Sequence, residues 1–287
     1  MGAATMKYGA STFIWVSPFS NDTLSLIDKV RDFGYDYIEI CIEDPATIDT
    51  TAIRGKLAQA GIGALVCGAF GPDRDISSED ANVRAGALRY IKTCVDIAVA
   101  LGSPLVSGPM FSATGKTRLL SDAEKRQQWD WAVENMKLAA DYAAERGVKL
   151  AVEPLNRFET DFINTVEQGL RFFDLIGKDN VGFLLDTFHM NLEEKNIPDA
   201  IRHAGGKVFN FHSCENDRGT PGTGHIPWQD VSAALRDIGY DGPVVIESFT
   251  TEIKEIARAV SQWRPLAASQ DEIGAEGLRF LKQVMPV

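Results

Sequence analysis

Between Lys149 and Phe249 the chain contains KLAVEPL (149–155), VGFLLDT (181–187), VFNFHSC (208–214) and PVVIESF (243–249). Each run is short and largely apolar, and each carries one ionisable residue near its end: Glu153, Asp186, His212 and Glu247. Near-continuous apolar runs are what parallel strands need when helices cover one face and a packed core fills the other. Segments of helical period lie between them. Residues 165–176 place Val166, Leu170 and Phe173 on one stripe, and 193–205 and 228–239 read as shorter helices.

The same alternation extends upstream. KYGAST (7–12), YIEIC (37–41), GALVCGAF (63–70) and PLVSGPM (104–110) read as strands, and 48–60, 78–101 and 120–147 as helices. The first helix carries Leu26, Val30 and Phe33 on one face, with Asn21 or Asp22 as its expected N-cap and Gly34 just past its end. The last helix is expected at 270–284. Eight strands, each followed by a helix, make an α/β chain of the (β/α)8, or TIM-barrel, class. The alternative, a doubly wound sheet, lacks in its dinucleotide form the GxGxxG that should follow the first strand. About twenty residues part the eighth strand from the last helix, more than a structureless loop usually spans. TEIKEIARAVSQW (251–263) has the composition of an extra helix there. No Pro/Gly/Ser linker divides the chain, so residues 1–287 read as one catalytic domain, with 1–6 a flexible start.

Composition narrows the function. The 287 residues include 29 basic and 40 acidic side chains, for a net charge of −11, with 45% apolar and 24% charged residues. The acidic balance leans away from a nucleic-acid partner, which calls for a basic face. No apolar run approaches the about 18 residues of a membrane span, and the N-terminus lacks the pattern of a signal peptide, so a cytoplasmic protein is expected. Cys41, Cys67, Cys94 and Cys214 lie far apart with no CxxC pair, which indicates neither a zinc knuckle nor a disulfide framework.

In this class of barrel the reactive groups gather at the C-terminal ends of the strands. Glu153, Asp186, His212 and Glu247 stand there, one βα unit apart, on the same strand face as Ala151, Leu184, Asn210 and Val245 respectively. A lone carboxylate at a strand end also serves as a cap or a loop salt bridge. Four such groups on four successive strands point to a metal site, because buried charges need pairing or a cation. Oxygen-rich ligands with one imidazole suit Mn²⁺, Mg²⁺ or Co²⁺ better than structural zinc. Glu159, His189 and Arg218 follow on the βα loops, open to a role either in substrate contact or in surface ion pairs. Arg157 reads as an exposed partner, His225 as a loop residue and His203 as a helix-surface residue.

EPLNRFET, LLDTFHMN, FHSCENDRGTPGTGH and VVIESF, with the late WRPLAAS (263–269), resemble the ketose 3-epimerase family (D-tagatose, D-allulose (psicose) and L-ribulose 3-epimerases), a branch of the xylose-isomerase-like TIM barrels. The resemblance extends over nearly the whole chain. It implies that Glu153, Asp186, His212 and Glu247 hold a divalent ion, Mn²⁺ foremost, and that Glu153 and Glu247 are the catalytic acid/base pair. It also implies that Glu159, His189 and Arg218 bind the sugar, and that Tyr8, Trp15, Cys67 and Phe249 are candidates for its walls. For Tyr8 and Phe249 ordinary barrel packing is the competing reading, and Cys67 stands where some members carry an apolar residue. Inverting C3 of a free ketose requires removing the proton α to the C2 carbonyl and returning one to the opposite face of a cis-enediolate, hence two bases. The family also implies a homodimer or homotetramer. Related barrels, such as a hydroxypyruvate isomerase, an aldose–ketose isomerase or an inosose dehydratase, are the alternative. An endonuclease IV-type barrel calls for many more histidines than the 4 present. A sugar-binding protein that keeps the metal for structure alone is the non-enzymatic reading.

Overall fold

The computed structural model describes residues 6–285. Eight strands, β1 (Lys7–Ser11), β2 (Tyr37–Ile42), β3 (Gly63–Gly68), β4 (Leu105–Gly108), β5 (Lys149–Val152), β6 (Val181–Asp186), β7 (Val208–Ser213) and β8 (Pro243–Ile246), close in sequence order into one barrel. Every pairing is parallel, and the β1–β8 ladder (Lys7↔Pro243 to Ala10↔Ile246) seals it. Among the described residues ten helices surround it: α1 (Ser25–Phe33), α2 (Thr50–Ala60), α3 (Ala81–Leu101), α4 (Asp122–Ala144), α5 (Val166–Ile176), α6 (Thr187–Glu193), α7 (Ile197–Ala204), α8 (Trp228–Asp237), α9 (Lys254–Ala259) and α10 (Gln270–Val284). None of them is long and apolar enough to cross a membrane.

Helix ends follow local chemistry. Capping boxes start α4 (Ser121 with Glu124) and α5 (Thr165 with Gln168). Gly34 closes α1 at φ 91°, as expected. The start of α1 differs from expectation. Asn21 and Asp22 lie inside a 3₁₀ turn that Ser20 caps reciprocally with Thr23, and α1 leaves that turn at Leu24 with no side-chain cap. Ser20 and Thr23 form the box one step earlier, so neither Asn21 nor Asp22 has a cap position to fill.

Two further helices differ. The expected helix 193–205 is α7, which begins after Asn196 with Pro198 in its first turn, and a further helix not expected, α6, precedes it and springs directly from Asp186. The extra helix after β8 exists but spans only Lys254–Ala259, ending before Ser261, whose φ of 56° leaves the helical region. Of the flexible start expected at 1–6, residues 1–5 lie outside the described residues, and Met6 is buried.

The main core lies between the strands and the helices. Inside the barrel Leu65, Leu105 and Val245 form a small apolar cluster, partly backed by Tyr37. Beside it Glu39, Ser107 and Asn210 form a wholly buried polar cluster. At the end of β4, Gly108 (φ 129°) lets two strands approach closely: a Cβ there would lie 2.8 Å from the carbonyl of Gly68.

Candidate active site

Glu153 directly follows β5, Asp186 ends β6, His212 lies in β7 and Glu247 directly follows β8. Parallel register sets Asp186 opposite His212. One ligand atom from each of the four lies within 4.8 Å of the other three. All four side chains are buried, His212 completely. The Nδ1 of His212 stands 3.5 Å from Glu247 Oε2 and 3.8 Å from Asp186 Oδ2, and it is buried with no hydrogen-bond partner. An unpartnered imidazole nitrogen among three carboxylates is what a divalent cation would satisfy, and the donor set of three oxygens and one nitrogen fits such an ion.

Electrostatics agree with this packing. Burial, then the charge of Glu247, pushes the Glu153 carboxyl well above the usual range. The same two causes raise Asp186 to about 6. Burial acts on Glu247 too, but His212 and then Arg218 outweigh it and hold that carboxyl low. Burial also works against charge on His212, yet Glu39 and Glu247 prevail and raise its pKa.

The three loop residues come to the same place. Arg218 reaches Glu159 Oε1 at 3.2 Å, His189 Nε2 at 3.3 Å and Glu247 Oε2 at 4.0 Å. Its guanidinium lies between the rings of Phe188 (4.3 Å) and Phe249 (4.8 Å), and its backbone is held at φ 67°, a strained conformation for a non-glycine residue. Glu215 organises the loop that carries it, accepting bonds from the backbone of Gly222 and Ile226 and from the Trp228 indole. The Nδ1 of His189 accepts from the backbone N–H of Asn156 at 3.0 Å. Burial, and then the neighbouring Arg218 and His212, hold the ring well below its ordinary pKa. A neutral ring whose Nδ1 accepts carries its proton on Nε2, which lies 3.6 Å from Glu153 Oε1.

A cleft of about 540 Å³ opens above this group. Glu153, Glu247, Glu159, His189 and Arg218 line one part of it, and Phe13, Cys67, Phe70, Phe249, Ile256 and Val260 another. Cys67 and Phe249, named from the resemblance, therefore lie in its wall. Tyr8 and Trp15 do not. Tyr8 is on the outward parity of β1, buried in the main core, and its hydroxyl donates to the Met285 carbonyl at 2.5 Å. Trp15 lies in a separate surface groove, with Nε1 donating to Asp271 at 2.7 Å. Inward and outward alternate along β1, so Gly9 and Ser11 face in while Tyr8 faces the helices, which is the packing reading of Tyr8. Arg157 pairs with Glu193 at the surface, and His203 and His225 are exposed.

Sequence reasoning passed over Glu39, Phe13, Asn156 and Glu215. Glu39 had a readable signal, a single charge inside the apolar run YIEIC. Its Oε1 lies 2.8 Å from His212 Nε2.

The model of the xylose isomerase-like TIM barrel family matches residues 27–284. The D-psicose 3-epimerase of Agrobacterium fabrum is 33% identical, over 98% of this chain and 99% of that protein. The L-ribulose 3-epimerase of Methylomonas sp. is 32% identical, over 97% of each. The crystal structure of a D-allulose 3-epimerase from Methylomonas sp. in complex with D-allulose superposes with a TM-score of 0.91, at 31% identity and 98% coverage of both chains. This chain belongs to the xylose isomerase-like TIM barrel family and, within it, to the ketose 3-epimerases.

Proposed function

We propose that this chain is a metal-dependent 3-epimerase of free ketoses, with residues 1–287 as one catalytic domain and Glu153 and Glu247 as its two bases. The observation that carries the reading is the convergence of these two carboxylates, from strands three places apart in the barrel, on one buried centre that they share with Asp186 and His212. Glu153, Asp186, His212 and Glu247 would hold a divalent cation, which would supply Lewis-acid polarisation of the ketose carbonyl and so acidify the C3 proton. One glutamate takes that proton, and the electron pair of the C3–H bond passes into the C2–C3 double bond of a cis-enediolate. The other glutamate, which enters the step protonated, delivers its proton to the opposite face of C3 as the C2 carbonyl re-forms; proton exchange with solvent then resets the pair, and the reverse reaction exchanges their roles.

The remaining residues orient the sugar. The Nε2–H of His189 and the guanidinium of Arg218 donate to its oxygens, and Glu159 accepts from a hydroxyl. Cys67 and Phe249 set the apolar wall. The hard donor set supports Mn²⁺ as the cation, with Mg²⁺ or Co²⁺ as substitutes. A homodimer or homotetramer, as the family resemblance suggests, acting in the cytoplasm completes the reading.

The test is incubation of the Mn²⁺-loaded protein with fructose, tagatose or a ketopentose in D₂O. The expected product is the C3 epimer carrying deuterium at C3. An aldose without epimer would place the chain among the isomerases, and sugar binding without exchange would make it a binding protein.

A further inference from the structure

Glu39 lies on β2, three strands from His212 around the barrel, and its side chain is wholly excluded from solvent. A carboxylate held there at 0% exposure calls for partners, and its two oxygens differ: Oε2 is hydrogen-bonded, whereas Oε1 has no hydrogen bond and faces the equally unbonded Nε2 of His212. Its Oε2 accepts from Asn210 Nδ2 at 2.9 Å and from Ser107 Oγ at 3.3 Å, while Oε1 faces His212 Nε2 at 2.8 Å. Asn210 cannot turn its amide to present oxygen instead without loss, because its Oδ1 already accepts from the Phe211 N–H at 3.0 Å.

We infer that Glu39 is the positioning residue of the metal centre: by taking the Nε2–H of His212 it fixes the imidazole tautomer and turns the Nδ1 lone pair toward Glu153, Asp186 and Glu247. The inference rests on the metal-centre reading of those four residues. Both tautomers of a neutral imidazole are populated in water, and only the one with a bare Nδ1 can ligate through that nitrogen. A carboxylate oxygen at Nε2 has no proton to give, so it admits only that tautomer. Ser107 and Asn210, on β4 and β7, in turn hold the carboxylate in place. Three strands thus contribute to aiming one ring.

Glu39→Gln makes the argument sharp. If its amide oxygen faces His212, its NH₂ meets the Nδ2 of Asn210, donor against donor. If it turns over, the NH₂ donates to Nε2, the proton moves to Nδ1, and the ring no longer ligates. Titration of the variant with Mn²⁺ alone, by calorimetry, should show affinity weakened about 10–100-fold relative to wild type. Saturating Mn²⁺ should restore most of kcat with the KM for ketose unchanged, a split that general damage to the fold would not produce. Wild-type Mn²⁺ affinity in a folded Glu39→Gln protein would overturn the inference. Failure of the wild-type chain itself to bind Mn²⁺ would overturn the metal-centre reading instead, which keeps the two distinguishable.

Should the variant not fold, the wild-type protein still decides the matter. The chain has only 4 histidines, so ¹⁵N-histidine labelling of the Mg²⁺-loaded protein should resolve His212 with its proton on Nε2 and with Nδ1 bare. A proton on Nδ1 of His212 would refute the role of Glu39.

Discussion

The two halves of the barrel mouth are built from different chemistry. At the ends of β5 to β8 stand Glu153, Asp186, His212 and Glu247, joined by His189 and Arg218 from the loops beyond. At the ends of β1 to β3 stand Phe13, Cys41 and Cys67, packed with Phe249 as a small apolar cluster. The strands themselves are alike, parallel and buried, so the backbone does not impose the division. It lies in the last one or two residues of each strand. Charge is concentrated where it can share a cation, and the opposite wall excludes water, which strengthens every electrostatic contact on the charged side. The charged half is therefore expected to carry the reaction and the apolar half the choice of sugar.

The largest effect should come from the charged half. Glu153→Gln and Glu247→Gln should each lower kcat by about 10²–10⁴-fold, as loss of a general base does. Epimer formation measured by chromatography checks this, and full activity in either variant would break the two-base mechanism. Removal of the cation by a chelator should come next, lowering both turnover and thermal stability. Without the cation the Asp186 carboxyl, raised from 3.8 to about 6, holds a proton in the folded chain that the unfolded chain has released. The stabilisation from that proton is complete below about pH 4 and is lost as pH rises through 6, on the order of 3 kcal/mol. The gap in melting temperature between Mn²⁺-loaded and chelated protein should therefore widen from pH 5 to pH 8, and a gap independent of pH would contradict the site. In the apolar half, Cys67→Val should shift the ratio of kcat/KM between ketohexose and ketopentose by about tenfold, with kcat for the better sugar little changed. An equal loss on both sugars would blur the division of labour. Outside both halves, Tyr8→Phe removes the bond to the Met285 carbonyl and should cost about 1 kcal/mol of stability with unaltered kinetics. A changed KM would bring Tyr8 back to the sugar.

The eight strands and the quartet were legible because each repeats a pattern: an apolar run followed by an ionisable residue, four times over from β5 to β8. Singular features were not. Glu39 occurs once, and nothing local marks its partner as His212, on the far side of the closed barrel. Tyr8 was named from the resemblance, and it is the parity of β1, where a displacement of one residue exchanges inside for outside, that turns it to the helices. Helix α6 was hidden because its start, DTFH, is short and carries site residues where a cap and an apolar stripe would normally be sought. Its cap is Asp186 itself, a residue already accounted for by its charge.

That double use of Asp186 has a consequence for how the molecule tolerates change. Its Oδ1 accepts from the Phe188 N–H at 2.6 Å and the His189 N–H at 3.4 Å. The carboxylate that faces the proposed cation thus also anchors the helix presenting the ring of His189 to the sugar. Variation at position 186 cannot retune affinity for the ion while sparing the grip on substrate, since one side chain governs both. Drift toward new sugars is freer along the wall of Cys67, where a side chain can be exchanged without disturbing a ligand or a helix start.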